Sequence, residues 1–241
     1  MALIRLQKYL AQCGLGSRRT CEKYIEQKRV TIDGQLVTEQ GISINPDTQI
    51  VRLDDIVVIP KPIEWLMLNK PPQYLSTAKD PSGKPTFLDL LPADKHHLFA
   101  VGRLDYLSEG LLLITNEGDI AHKLIHPRYE IEKEYLVRTA DKISTHQFNQ
   151  MKQGLPVDND VLSVRSIHCR QDPTMESYWE YTIIITEGKN RHIRRMLGHL
   201  NIRIKMLKRI RTGPIQLNDL PKGKWRYLTQ QEISLIQEII K

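Results

Sequence analysis

Long apolar runs are missing from this chain. No stretch approaches the roughly 20 residues that a membrane-crossing helix needs. The opening Met1-Ala2-Leu3-Ile4-Arg5-Leu6 lacks the layout of a secretory signal. Cysteine is also scarce. Cys13, Cys21 and Cys169 form no CxxC and leave one thiol unpaired, which fits a reducing cytosol and argues against a structural zinc. A catalytic metal lacks ligands too. His122 and His126 have zincin spacing, but Lys-Leu-Ile stands between them, without a glutamate base or an evident third ligand. Packing or a contact to a polyanion is the better reading of that pair. The Gly83-Lys84 step lacks the spacing and the Ser or Thr of a phosphate-binding P-loop. Internal repeats and low-complexity tracts are absent. Strands and helices alternate without a clean βαβ repeat, so an α+β fold with a mixed, mostly antiparallel sheet flanked by helices is expected.

Acidic residues are missing where they would matter most. The net charge is +7 and the pI about 9.2, which points to a polyanionic partner. Residues 1–29 hold seven basic groups, among them Arg5, Lys8, Arg18 and Arg19, against only Glu22 and Glu26. Residues 186–211 hold nine, among them Lys189, Arg191, Arg194 and Arg195, against Glu187 alone. Basic residues this concentrated read as phosphate contacts. The 40% hydrophobic content supports a proper core, and 241 residues allow one large or two modest domains.

One stretch stands out, Gly102-Arg103-Leu104-Asp105-Tyr106-Leu107-Ser108-Glu109-Gly110, running into Leu111-Leu112-Leu113-Ile114-Thr115-Asn116. Arg103 and Asp105 are two apart, so an extended backbone turns both side chains to one face. Gly102 and Gly110 bracket them and permit sharp turns or close backbone approach. The apolar run behind reads as a buried strand. The acid would then sit on a loop held by a rigid strand, a common setting for catalytic groups. Spacing alone, however, favours a surface ion pair at a turn. A glycosidase would place two carboxylates about the scissile bond, whereas only Glu109 accompanies Asp105 here, in an irregular loop.

Residues 1–60 read as a small domain and residues 61–241 as a larger one, joined at Pro60-Lys61-Pro62. In the first, Leu3, Leu6 and Leu10 mark one short helix, and Ser17 caps a second that holds Tyr24 and Ile25. Val30-Thr31-Ile32 and the Asp33-Gly34 turn start a hairpin, with strands at 49–52 and 56–59. In the second, strands are expected at 65–68, 134–138, 161–167, 180–186 and 204–209. Asn69-Lys70-Pro71-Pro72 reads as a turn and 87–91 as a short helix. Further helices run from an Asn116 cap to Ile125, over 144–153, from Arg191 to Leu200 and from Thr229 to Ile240.

Three segments carry a family resemblance. Gly102-Arg103-Leu104-Asp105 with Gly110-Leu111-Leu112-Leu113, then Glu132-Lys133-Glu134-Tyr135, then Glu187-Gly188-Lys189-Asn190-Arg191-His192-Ile193-Arg194-Arg195-Met196 resemble, in order, the motifs of the RsuA/RluB/RluE/RluF pseudouridine synthases. Lys70-Pro71-Pro72 resembles that family's first motif. Ser108 stands where Thr is usual, Lys189 where Arg is frequent and His192 where Gln is frequent. Residues 1–60, with Ser17-Arg18-Arg19 at a helix start, resemble the αL RNA-binding domain first described in a ribosomal small-subunit protein.

The resemblance implies a pseudouridine synthase catalytic domain behind an αL-type RNA-binding domain, acting on ribosomal RNA. The branch most alike is the RluB type, which modifies 23S rRNA. The same reaction on 16S rRNA and a non-catalytic RNA-binding assembly factor are the alternatives. It implies Asp105 as the essential carboxylate, acting as nucleophile or base, Arg194 as its cationic partner and Tyr135 as the aromatic against the base. Tyr135 taken alone would be an ordinary strand aromatic. By likeness to the neighbouring RluA-type branch, Arg103 would move into the RNA as the base is extruded. Lys189, Arg191 and Arg195 would clamp phosphates, and Arg5, Lys8, Ser17, Arg18 and Arg19 would dock RNA through the first domain. Neither metal nor cofactor is implied. The partner implied is ribosomal RNA, free or in a pre-ribosomal particle, and the protein is expected to be a cytoplasmic monomer. Helical phase places Arg194 inward, toward Asp105, and Arg195 outward.

Overall fold

The computed structural model describes residues 3–170 and 178–240. The chain divides into two compact units, one ending at Ile63 and the other beginning at Glu64. Residues 58–64 carry neither helix nor strand.

The first unit runs β1 (Ile4–Arg5), α1 (Leu6–Gln12), α2 (Arg18–Glu26), β2 (Val30–Ile32), β3 (Gln35–Leu36), β4 (Ser43–Ile44), β5 (Val51–Leu53) and β6 (Ile56–Val57). Ser17 caps α2, its Oγ accepting from Thr20 N at 3.1 Å. Asp33 and Gly34, at φ 51° and 82°, supply the two positive φ angles of a tight hairpin turn between β2 and β3. Leu6, Leu10, Ile25, Val30, Ile44 and Val51 form the core. Cys13 and Cys21 belong to it as apolar side chains, and burial pushes their thiols up to about 12 and about 11. One expectation changes. Leu3 is 69% exposed and lies outside the first helix. Ile4 and Arg5 pair with Ile44 and Ser43 instead, because tertiary strand pairing outweighs the weak gain of one more helical turn.

The second unit contains β7 (Trp65–Lys70), β8 (Phe99–Ala100), β9 (Glu109–Thr115), α3 (Gly118–Ile125), β10 (Lys133–Thr139), α4 (Thr145–Gln153), β11 (Leu155–Val157), β12 (Asp160–Leu162) and β13 (Ser166–Cys169). It continues with β14 (Trp179–Ile185), α5 (His192–His199), β15 (Ile204–Thr212), β16 (Ile215–Gln216), β17 (Trp225–Tyr227) and α6 (Gln230–Ile239). Its main sheet is ordered β13-β14-β10-β15-β9-β7-β17, with β16 on β15 and β8 on β9. Among the described strand pairs of this sheet, β9–β15 is parallel and the others are antiparallel.

Strand periodicity explains where the cores lie. Leu66, Leu68, Leu112 and Ile114 face one side of the sheet with Val137, Tyr181 and Leu207. Trp65, Met67, Leu111 and Leu113 face the other, under Ala121 and Leu124 of α3 and Ile236 of α6. Thus β7 and β9 are buried on both faces, while β10 alternates buried and half-buried residues.

Three other expectations change in this unit. Asn69 and Lys70 continue β7 rather than forming a turn, since both pair with β9. The run 161–167 is two strands in different sheets: β12 pairs with β11, and β13 joins β14. Asn116 does not cap α3. Its Oδ1 accepts from Glu64 N at 2.9 Å, and Thr115 Oγ1 receives Glu117 N at the helix entry.

Candidate active site

A cavity of about 660 Å³ opens on the β10–β15 part of the sheet, lined by Arg103, Asp105, Lys133, Tyr135, Arg209 and Thr212 together with residues 187–193. The loop that carries Asp105 is tied from both sides. Ser76 Oγ donates to Leu104 O and accepts from Leu104 N, both at 3.0 Å, so Leu104 is locked into the core. Ser108 N donates to Asp105 O at 3.0 Å, and Gln73 N donates to Tyr106 O at 2.6 Å. Gly102 turns the chain at φ 75°. Gly110 has φ 103°, and a Cβ there would lie 2.8 Å from Arg209 N. Only glycine therefore lets β15 run beside β9 under the acid loop.

Arg194 is fastened to that loop. Its Nη2 donates to Leu107 O at 2.9 Å and to Ser108 Oγ at 3.1 Å, and its Nε stands 3.5 Å from Asp105 Oδ2. The Ser108 hydroxyl and the Leu107 carbonyl hold the guanidinium, and the carboxylate feels its charge at ion-pair distance. Asp105 lines the cavity, and its side chain stays 27% exposed. Arg103 is exposed, lines the same cavity and makes no ion pair among the described residues. The surface-pair reading of Arg103 with Asp105 is thereby removed. Tyr135 projects from β10 into the cavity and is 8% exposed.

Beneath the loop, one row crosses the sheet. Lys70 pairs with Gly110, Gly110 with Arg209, and Arg209 with Tyr135. Lys70 is fully buried, and its Nζ donates to Pro71 O at 2.9 Å and Tyr74 O at 2.8 Å. Burial pushes its ammonium down to about 8, partly offset by the charges of Asp105 and Glu109. Lys133 Nζ donates to Thr186 O at 3.2 Å and is also pushed down to about 8, by burial and then by Arg209. Sequence reasoning missed Ser76, Lys70, Lys133 and Arg209 as site residues. Lys133 did lie in the segment that carried the resemblance, two residues before Tyr135.

The basic segment 187–195 behaves differently from expectation. Arg195 does not turn outward. Nε bonds Asp158 Oδ2 at 3.0 Å, Nη1 bonds Asp160 Oδ2 at 2.8 Å and Nη2 bonds Val157 O at 3.0 Å. Lys189 Nζ donates to Val161 O at 2.8 Å and pairs with Glu187 at 2.9 Å. The buried His192 donates from Nε2 to Ser163 O at 2.9 Å, and burial lowers its pKa. These side chains hold the β11–β12 hairpin. The reason is local: two aspartates at the hairpin tip satisfy the guanidinium before any phosphate is present. Arg191 remains as the exposed cation on the rim, held at φ 49°.

The candidates of the first unit lie on its own elements. Arg18 and Arg19 are exposed at the α2 N-terminus. Ser17 Oγ serves the cap, and Arg5 donates to Gly41 O. In the second unit, the rings of His122 and His126 pack 5.2 Å apart, and His126 Nδ1 accepts from Arg128 N. Among the described residues no cluster of three or more His, Cys, Asp or Glu is arranged to hold a metal, and no helix is long and apolar enough to cross a membrane.

Comparisons with known proteins agree with this geometry. A family model described as RNA pseudouridylate synthase matches residues 64–199, and an S4 domain model matches residues 4–50. An RNA pseudouridine synthase of Aquifex aeolicus is 36% identical over 235 residues, covering 97% of this chain and 94% of its own length. A ribosomal large subunit pseudouridine synthase B of Yersinia pestis is 35% identical over 246 residues, covering 98% of this chain and 76% of its own. A crystal structure of a pseudouridylate synthase matches with a TM-score of 0.67 at 25% identity, covering 97% of this chain and 99% of that one.

Proposed function

Since this chain belongs to the RNA pseudouridylate synthase family, we propose that it isomerises a uridine of large-subunit (23S) ribosomal RNA to pseudouridine, as a cytoplasmic monomer. The observation that carries this reading is Asp105 held at 3.5 Å from Arg194 in a cavity shared with Tyr135. The large-subunit assignment rests on relatives named for that activity.

The chemistry needs little beyond these groups. The C1′–N1 bond breaks, and its electron pair leaves with uracil. Asp105 acts on the ribose, either as nucleophile at C1′ or as base on the sugar. The detached uracil turns and C5 bonds to C1′, as the Asp105–C1′ bond breaks in the first route or as Asp105 returns the sugar proton in the second; the C5 proton then leaves and N1 gains a proton. The uracil is its own incoming nucleophile, so the reaction requires no second substrate. Holding the base captive is a task of position, and the Tyr135 ring supplies a face for it. Its hydroxyl is the group assigned to take the C5 proton. A uridine in folded RNA must first leave its stack, at a cost of a few kcal/mol. Arg103, exposed at the cavity mouth, is assigned to the space the base vacates, and Arg191 to phosphate.

The test maps pseudouridine in 23S and 16S rRNA transcripts treated with purified protein and with the Asp105→Asn variant. The expected result is one modified position in 23S rRNA with the parent and none with Asp105→Asn, which binds RNA within a few-fold of the parent. Normal turnover by Asp105→Asn would falsify the assignment of the acid, and modification of 16S rRNA alone would move the substrate to the small subunit.

A further inference from the structure

The cavity floor holds more positive charge than its carboxylates balance. Arg103, Lys133, Lys189, Arg191 and Arg209 line it against Asp105 and Glu187, and Glu187 is taken up by Lys189 at 2.9 Å. The buried Lys133 and Arg209 make no ion pair among the described residues. Buried cations without matching anions are costly. This floor is therefore complementary to something negative that is present only during function.

Two of its groups also have unused hydrogen-bonding capacity. Thr212 is 6% exposed, lines the cavity, and its buried Oγ1 has no hydrogen-bond partner among the described residues. Arg209 is 5% exposed and, among the described residues, bonds only through Nε, to Leu111 O at 2.8 Å. The backbone goes out of its way to bring them together. Tyr135 pairs with Arg209 and Lys133 with Thr212, with a register shift between Glu134 and Tyr135. Residues three apart on a regular strand face opposite sides. The extra residue at this bulge returns Arg209 and Thr212 to the same side, a device known for re-aiming side chains beside active sites. The result is a two-by-two block, Tyr135 with Arg209 and Lys133 with Thr212.

Isomerisation creates the missing anion. When C1′–N1 breaks, the departing pair leaves uracil negative, with the charge shared among N1, O2 and O4. It returns to neutral when C5 bonds to C1′, the C5 proton departs and N1 is protonated. We propose that Lys133, Arg209 and Thr212 form the floor that receives uracil while it is detached, the two cations stabilising its charge and the Thr212 hydroxyl donating to one of its oxygens. Fixed donors aimed at a charge that develops only in the reaction lower its barrier without reorganising. This inference rests on the family reading and adds to it the groups that hold the leaving base.

The experiment compares single-turnover consumption of uridine and of 5-fluorouridine at the mapped position of the rRNA transcript. Fluorine at C5 makes the base more acidic and a better leaving group, so help from the floor should matter less. Thr212→Val keeps the side chain's shape and removes a hydroxyl with no partner, so its unfolding temperature should equal or exceed the parent's. It should nonetheless slow uridine about 10- to 100-fold, as loss of one hydrogen bond to a charged acceptor does, and 5-fluorouridine about threefold or less. Lys133→Gln should show the same contrast more strongly, and Lys133→Arg should recover most of the uridine rate. Parent-like uridine rates in Thr212→Val, or equal losses on both substrates, overturn the inference. Should Lys133→Gln fail to fold, Thr212→Val decides alone. Failure of the parent itself to convert uridine would instead remove the family reading, before any variant is compared.

Discussion

The basic side chains around Asp105 divide by what each cationic end touches. Arg194 has its guanidinium on the acid loop itself, through Leu107 and Ser108, and so serves the carboxylate. Lys133 has one carbonyl and a cationic neighbour, and burial pushes its pKa down to about 8 from 10.5. That has a consequence for stability. Below pH 8 the folded and unfolded chains both carry the charge, and only the folded one must hold it away from water. Between pH 8 and 10.5 the unfolded chain binds a proton that the folded chain has released, so this residue makes stability rise with pH across that window. Lys133→Met should therefore be more stable than the parent at pH 7, by about 1–3 kcal/mol. The advantage should fade as pH approaches 10.5. Urea unfolding at a series of pH values reads this directly, and a constant difference at every pH would count against it.

At the scale of elements, α5 and the segment before it work as a bracket. Lys189, His192 and Arg195 each reach the stretch 157–163, at Val161 O, Ser163 O and the pair Asp158 and Asp160. On the same helix, Arg194 reaches the acid loop. The β11–β12 hairpin and the Asp105 loop are thus held by adjacent residues of one short element, and residues 187–193 line the cavity. Arg195 is accordingly a positioning residue. Arg195→Ala should lower the single-turnover rate while leaving the salt dependence of RNA binding unchanged, because no phosphate contact is lost. Asp160→Ala should act in the same direction, and the double variant should lose less than the sum of the two. A salt slope reduced by about one in Arg195→Ala would instead make that side chain a phosphate contact.

The whole molecule combines two compact units, each with its own core. The first carries the basic helix start Ser17-Arg18-Arg19, where free backbone N–H groups and two exposed guanidinium groups suit phosphate. Replacing Arg18 and Arg19 together with Ala should weaken rRNA binding at moderate salt and reduce its salt slope by about one to two. Turnover at saturating RNA should be preserved. A slowed chemical step with binding and slope unchanged would show that the first unit does something other than dock RNA.

What the chain wrote locally, the sequence by itself determined. The Ser17 cap, the helix expected over 144–153, the Asp33-Gly34 turn and the apolar run 111–114 each depend on neighbours a few residues away, and all appear as expected. Asp105, Tyr135 and Arg194 were legible because motif resemblance carried them, and the structure brings Asp105 and Tyr135 to one cavity with Arg194 against the acid. The remainder depended on partners distant in sequence. Arg195 turned to Asp160, 35 residues away, and Arg209 to Leu111 O, 98 residues away. Lys70 left its expected turn for a buried strand because β9 was there to pair with it. The bulge that sets Arg209 beside Thr212 arises only when β10 and β15 meet. A charged side chain is satisfied by whichever partner the fold brings within about 3 Å, and nothing in its own neighbourhood of the chain names that partner. Only the tertiary structure decided which cations stand beside the acid, which brace the scaffold and which keep donors facing the cavity.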